Sequence, residues 1–337
     1  MPDHKIDAVD HPENLLKKLL ENGHIPNALL FTGQKDSGRK KAALFFAQTI
    51  NCQQKDTLSF REKPCGQCIS CRKINSGEHP DIIGVKPEKN IIRISQIKTI
   101  FSSITAKPHE ADMRMILIED ADTMNNEASN SLLKILEEPP LRTFFVLTAK
   151  SLTDLLPTIL SRCRHIRFKP VSADSLGKKL TADHGVDPIT ASTAAEYGNG
   201  SLDRARRFAN ISDREDKIDW IKRRKWIINQ ISDIITCKEK DSLLIMKFAE
   251  KLSREKDLLE DSIDIIRTWL RDIAVFRFSP DRVINKDVTD LLKKTSARFT
   301  PKKSVTLIND LYDAEKKIQA NTVPRLTLEA FLFRLIL

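Results

Sequence analysis

The feature that most constrains the fold is an alternation of short apolar segments with amphipathic helical patterns. The segments at residues 28–32, 81–85, 115–118 and 144–147 are short, apolar and typical of buried strands. Strands separated by helices form parallel sheets whose two faces are covered by those helices. The sequence therefore predicts an α/β domain over residues 1–168.

The strand patterns stop at Lys169-Pro170, and the rest of the chain has the periodicity of amphipathic helices separated by polar turns. A break near Ile211 divides this part into a short helical domain at 169–212 and a longer one at 213–337. Stripes of Leu, Ile and Trp in the longer part predict a helix-bundle core or a subunit interface.

Composition limits the class of protein. The chain has 337 residues with 40% hydrophobic and 30% charged residues, and its 10 Gly and 15 Pro are too few for a collagen-like or low-complexity chain. The formal net charge of +10 favours contact with polyanions without requiring it. The first residues lack the pattern of a secretory signal, and no apolar run is long enough to span a bilayer. We therefore expect a cytoplasmic protein with no membrane partner.

Four of the six cysteines lie within twenty residues, at Cys52, Cys65, Cys68 and Cys71. In a reducing compartment this spacing is typical of four thiolates around one tetrahedral Zn²⁺. Four thiolates leave no open position for water, so the predicted zinc is structural and stabilises a small module over 52–71. The alternative is a loop with four unliganded thiols.

A loop between the first strand and the next helix has the frame of a P-loop, with Gly33 and Gly38 at the expected spacing. A working P-loop continues with Lys, which contacts phosphate, and with a hydroxyl residue that binds Mg²⁺. Here Arg39 replaces the Lys, and Lys40 replaces the hydroxyl and would repel the metal. We expect the loop to keep its architecture and to lose hydrolysis, although an anion can still bind its N–H groups.

An acidic pair follows the strand at 115–118. A P-loop ATPase carries Asp for the metal and then Glu for the attacking water, whereas this chain has Glu119 and then Asp120. Each carboxylate is therefore one methylene away from the length its role requires. The reversed pair and the altered loop both predict that ATP is not bound productively.

Several strings of residues together resemble the AAA+ subunits of the bacterial replicative clamp loader, the DNA polymerase III clamp-loader family. The strings are His24 to Phe31, the loop at 33–40, the four cysteines, Ile118 to Met124, Ser131 to Pro140 and Leu160 to Arg164. The likeness covers most of residues 10–215. It implies an α/β P-loop (AAA+) domain with a zinc module, followed by a helical lid at 169–212 and an all-α collar domain at 213–337 that serves oligomerisation.

The same resemblance implies roles for single arginines. In this family the Arg of the Ser161-Arg162-Cys163 string is a finger presented in trans to the nucleotide of an adjacent gamma/tau subunit, which makes Arg162 the candidate catalytic residue. Active relatives carry a nucleotide-sensing Arg where this chain has Asp203. Arg204 follows and points about 100° away around the helix. Arg206 and Arg207 extend a basic face that contacts duplex DNA or is simply solvated.

The function implied is that of a clamp-loader subunit that does not itself hydrolyse ATP, a non-catalytic part of a DNA polymerase holoenzyme. It would join gamma/tau and delta subunits and help place the sliding clamp on primed DNA during replication. Two alternatives remain open, an ATP-hydrolysing gamma/tau-like loader subunit and a zinc-stabilised DNA-binding module. Arg39 and Lys40 argue against the first, and the strings at 161–163 and 136–140 argue against the second.

Overall fold

The protein is described by a computed structural model, which covers most of the chain. The described residues are 16, 19, 20, 25–54, 64–104, 107–211, 218–236, 241–320 and 322–336. The chain divides into two compact units, residues 1–171 and 172–337. The first is an α/β unit and the second is helical in its described part, as predicted. The lid-to-collar boundary at 212/213 stays a prediction, because residues 212–217 lie outside the described part.

The first unit contains five strands and five α-helices whose bounds are described, and residues 16, 19 and 20 are also helical. In chain order they are β1 (Ala28–Thr32), α1 (Arg39–Asn51), α2 (Ile69–Ser76), β2 (Ile82–Val85), α3 (Ile94–Ser103), β3 (Arg114–Ile118), α4 (Asn126–Glu137), β4 (Thr143–Ala149), α5 (Pro157–Leu160) and β5 (Arg164–Arg167).

The five strands form one parallel sheet in the order β2-β3-β4-β1-β5. Strand β1 lies between β4 and β5, and its Leu30 is opposite Leu147 on one side and His165 on the other. The sequence analysis did not identify β5, because in this edge strand only Ile166 is buried and the other three residues are exposed. A strand with one buried residue has too weak an apolar pattern to be recognised.

Both faces of the sheet are buried and all its pairings are parallel, which confirms the predicted parallel sheet with two covered faces. Alternate residues of β1 point to opposite faces, with Leu30 in a core shared with α3 and α4. Leu29 and Phe31 lie in a second core together with α1. Because β1 is paired on both edges and covered on both faces, the loop that follows it starts from a fixed point.

The second unit has nine helices in its described residues. They are α6 (Ala173–His184), α7 (Pro188–Gly198), α8 (Leu202–Phe208), α9 (Trp220–Thr236), α10 (Ser242–Arg254), α11 (Lys256–Phe276), α12 (Thr289–Ser296), α13 (Pro301–Gln319) and α14 (Pro324–Phe333).

The apolar stripes of these helices are buried, as their periodicity predicts. Trp220 and Ile231 of α9, Phe248 and Leu252 of α10 and Trp269 of α11 are all at most 3% exposed. They form the core of the helical unit. No helix among the described residues is both long enough and apolar enough to cross a membrane.

Candidate functional site

The candidate nucleotide loop, residues 33–38, lies at the carboxyl end of β1. Since β1 separates β4 from β5, this is the point where the strand order of the sheet reverses. In open parallel sheets, ligands bind outside the carboxyl ends of the strands at such a point. The carboxyl end of β3, where Glu119 and Asp120 follow, lies at the same edge.

Two glycines shape this loop. A Cβ atom on Gly33 would lie 2.7 Å from the carbonyl oxygen of Phe168, so a larger residue does not fit there. The N–H of Gly33 donates to the carbonyl of Ala149 at 3.2 Å, which fixes the loop to β4. Gly38 has φ +85°, a backbone conformation that L-residues rarely adopt. The loop therefore keeps the geometry that its two glycines predict.

Gly38 also precedes the first turn of α1, where it supplies no side-chain cap. The first N–H groups of a helix lack partners within the helix, and they attract anions. Binding of an anion at this helix end stays a prediction.

The two cations that replace the P-loop lysine and hydroxyl form ion pairs with the two acids after β3. Arg39 Nη2 lies 3.6 Å from Asp120 Oδ1, and Lys40 Nζ donates to Glu119 Oε1 at 2.9 Å. The structure thus brings together four residues that the sequence analysis treated as two separate departures.

The environments of these two pairs differ. The side chain of Arg39 is 6% exposed, and burial lowers its pKa despite the nearby carboxylates of Asp120, Asp122 and Asp36. Lys40 is 47% exposed, and its partner Glu119 also has Lys86 within 3.9 Å. The backbone N–H of Asp120 donates to Thr148 Oγ1 at 3.0 Å, so the end of β3 is fixed to β4.

The four clustered cysteines form a second candidate site. Their sulfur atoms all lie within 4.8 Å of one another, and the Cys65 and Cys71 sulfurs are 4.0 Å apart. A tetrahedral metal with metal–sulfur bonds of about 2.3 Å requires sulfur–sulfur distances of about 3.8 Å. The donor set and its spacing therefore fit one metal ion held by four thiolates.

Local structure positions these thiols. The N–H of Cys68 donates to the sulfur of Cys65 at 3.3 Å, and the N–H of Cys71 donates to the sulfur of Cys68 at 3.4 Å. Burial opposes ionisation of Cys65, but the backbone N–H groups of Cys68 and Gln67 and the thiols of Cys52 and Cys68 lower its pKa to about 7. Gln48 of α1 donates to the carbonyl of Cys71 at 3.0 Å and joins the cluster to the α/β core.

Arg162 lies just after the short helix α5. Its Nη1 donates to the carbonyl of Thr158 at 2.9 Å and to Ser161 Oγ at 3.3 Å, and its Nη2 pairs with Glu137. The side chain is 33% exposed. None of these three partners belongs to the loop at 33–40.

Arg204 points toward the long helix α11. Its Nη2 lies 2.7 Å from Asp261 Oδ1 and also pairs with Asp264. Burial alone would lower the pKa of Arg204, but the two carboxylates outweigh it and raise that pKa. Arg207 lies 3.6 Å from Asp261, so part of the basic face is neutralised within the protein.

Three acidic partners were missed by the sequence analysis. Glu137 lies within a string that was recognised, but nothing local indicates which cation it pairs with. Asp261 and Asp264 are three residues apart on α11, and Asp261 is 8% exposed. Two acids three residues apart beside the apolar stripe of a helix could have indicated a buried ion pair, because buried carboxylates require a cationic partner.

The sheet, its loop and the helical second unit are similar to a solved structure. A DNA polymerase III gamma subunit-related protein from Thermotoga maritima matches 96% of this chain and 97% of its own, with 18% identity and a TM-score of 0.50. The chain thus has the fold of that protein, a parallel α/β unit followed by a helical unit.

Sequence comparison gives the family. The family described as "DNA polymerase III, delta subunit" matches residues 10–172, and "DNA polymerase III, delta subunit, C terminal" matches residues 216–336. The chain belongs to this family of DNA polymerase III subunits. The resemblance inferred from the sequence is confirmed.

Two curated relatives illustrate the relationship. DNA polymerase III subunit delta' of Bacillus subtilis is 28% identical over 309 residues, which cover 91% of this chain and 90% of that protein. DNA polymerase III subunit tau of the same organism is 24% identical, over 95% of this chain and 59% of that protein. The chain thus spans nearly the whole delta' relative and about three fifths of tau.

The pairing of Arg204 with α11 is testable by its effect on stability. Arg204→Ala leaves Asp261 buried without its main partner, so we expect the second unit to lose about 3 kcal/mol of unfolding free energy. All three tryptophans, Trp220, Trp226 and Trp269, lie in this unit, and their fluorescence during urea unfolding measures the loss. Arg207→Ala is the control, with an expected loss below about 1 kcal/mol. Equal losses in the two variants would show that Arg204 has no special role.

Proposed function

We propose that this chain is a clamp-loader subunit of the delta-prime type, which joins gamma/tau and delta subunits and helps place the sliding clamp on primed DNA without hydrolysing ATP. Two ion pairs between α1 and the end of β3 carry the proposal. Arg39 pairs with Asp120, and Lys40 pairs with Glu119. In a working site these positions contact phosphate, magnesium and water.

The ion pairs oppose nucleotide binding in two ways. Lys40 places a positive charge where a hydroxyl would hold Mg²⁺, and its ammonium already pairs with Glu119. Arg39 is buried against Asp120, so it cannot contact a β/γ-phosphate without breaking that pair and moving. Mg·ATP would thus have to replace two internal pairs and still lack a metal ligand of the proper length.

We therefore expect the isolated protein neither to hydrolyse ATP nor to bind Mg·ATP in the micromolar range. Titration calorimetry with and without Mg²⁺ measures the binding, and an active gamma/tau protein is the positive control. Micromolar binding, or turnover that disappears in Arg39→Ala, would favour the ATP-hydrolysing gamma/tau alternative.

We further propose that Arg162 acts in trans on the nucleotide of an adjacent gamma/tau subunit. Its guanidinium is partly exposed, and its polar partners lie outside the loop of its own subunit. A guanidinium at the γ-phosphate stabilises charge in the transition state, and in GTPases this is worth about 10³–10⁵ in rate. Such a group is useful to a subunit that has no competent site of its own.

Arg162→Ala should preserve folding and assembly and lower the DNA- and clamp-stimulated ATPase of the reconstituted loader. The loss is partial, because other interfaces keep their own fingers, while clamp loading falls further since it needs coordinated sites. Steady-state ATPase and clamp-loading rates measure both. Arg164→Ala removes a nearby exposed arginine and is the control. Unchanged rates in a complex shown to contain the Arg162 variant would rule out the finger.

We also propose that the cysteine cluster binds one structural Zn²⁺ through Cys52, Cys65, Cys68 and Cys71. Four thiolates that fill a tetrahedral shell leave no position for water, so the ion stabilises the segment between α1 and α2 and performs no chemistry. Its contribution to folding is coupled to the deprotonation of the thiols.

We expect the purified protein to contain one equivalent of zinc per chain by metal analysis. Cys68→Ser should lose most of it, whereas Cys163→Ser, which changes a cysteine outside the cluster, should keep it. A well-folded preparation with less than about a tenth of an equivalent of any metal would contradict the proposal, because closed thiolate sites bind tightly.

A further inference from the structure

We infer that Glu137 is a positioning residue that holds the guanidinium of Arg162 in the orientation in which it meets a neighbouring subunit's phosphate. The inference rests on the trans role proposed above for Arg162. Arg162 Nη2 donates a hydrogen bond to the Glu137 carboxylate.

The guanidinium is held by three acceptors of two kinds. The carbonyl of Thr158 and the hydroxyl of Ser161 are neutral and belong to the same turn as Arg162. Glu137 is the ionised acceptor among the three, and it comes from a different element, the last residue of α4. Acceptors on two elements fix the plane of a guanidinium, whereas acceptors on its own turn alone leave it free to swing with that turn.

The two elements that carry this pair are themselves fixed by a shared core. Leu132 and Leu136 of α4 and Ile159 of α5 are at most 3% exposed and belong to one apolar cluster with Leu155. Glu137 therefore directly follows the buried Leu136, and Arg162 lies three residues after the buried Ile159. The carboxylate and the guanidinium meet because the cores beneath them are packed together.

The strength of the pair suits a positioning role. Arg162 is 33% and Glu137 is 52% exposed, and exposed ion pairs are weak. A phosphate carries more negative charge than one carboxylate and binds arginine through charge-assisted hydrogen bonds. The three bonds use three of the five N–H groups of the guanidinium, which leaves two for a phosphate. Glu137 is thus able to orient the arginine without blocking it.

A double-mutant cycle in the reconstituted loader tests the inference. The variants of this chain are Glu137→Gln, Arg162→Ala and the two combined, with clamp and primed DNA present. We expect Glu137→Gln to lower the Arg162-dependent part of kcat about two- to five-fold, to leave the KM for ATP unchanged, and to have no effect when Arg162 is already alanine. Glu137→Asp, which keeps the charge on a shorter side chain, should recover part of the rate.

Glu138→Gln is the matched control, because it removes the same charge from the next residue, and Arg162 pairs with Glu137 instead. An effect of Glu137→Gln that persists in the Arg162→Ala background would show a structural role and overturn the inference. A rate increase in Glu137→Gln would also overturn it, since the carboxylate would then compete with phosphate. If Arg162→Ala itself has no effect, the trans role fails; if only Glu137→Gln has none, the positioning role alone fails.

Discussion

The rest of the α/β unit depends on the position of strand β1, which is hydrogen-bonded to a strand on each edge and covered by apolar side chains on both faces. It fixes Gly33, and through the loop it fixes the start of α1. Helix α1 is 13 residues long, about 20 Å, with the loop at 33–38 at one end and Cys52 directly after the other. One rigid helix thus connects the loop to the cysteine cluster, and Gln48 on that helix also contacts the cluster directly.

The charges at the loop are paired with one another within the α/β unit. The pairs Arg39–Asp120 and Lys40–Glu119 cross-link the start of α1 to the end of β3, the first through a buried guanidinium and the second through an exposed ammonium. The strand order places the start of α1 beside the end of β3, which brings these four residues together. In this chain each of the two cations at the start of α1 has an acidic partner at the end of β3.

The helical unit shows the same use of charge. Arg204 pairs with Asp261 and Asp264 of α11. The arginine therefore joins the short helices of this unit to its longest helix. Arg162 differs from Arg39 and Arg204, since it is partly exposed and its ionised partner is exposed as well. Among these three arginines it has the most exposed side chain, which is what the trans role proposed for it requires.

The sequence by itself determined the parallel sheet, its covering helices, the loop at Gly33 and Gly38 and the set of four cysteines, because periodicity, glycine spacing and cysteine spacing are local signals. It could not identify β5, where one buried residue gives no pattern. The partners of the charged residues were decided by the tertiary structure alone. Lys40 and Glu119 are 79 residues apart, Arg204 and Asp264 are 60 apart, and Arg162 and Glu137 are 25 apart. The sequence shows that a charged side chain requires a partner. Which partner it has depends on how the apolar cores pack and so bring distant segments together.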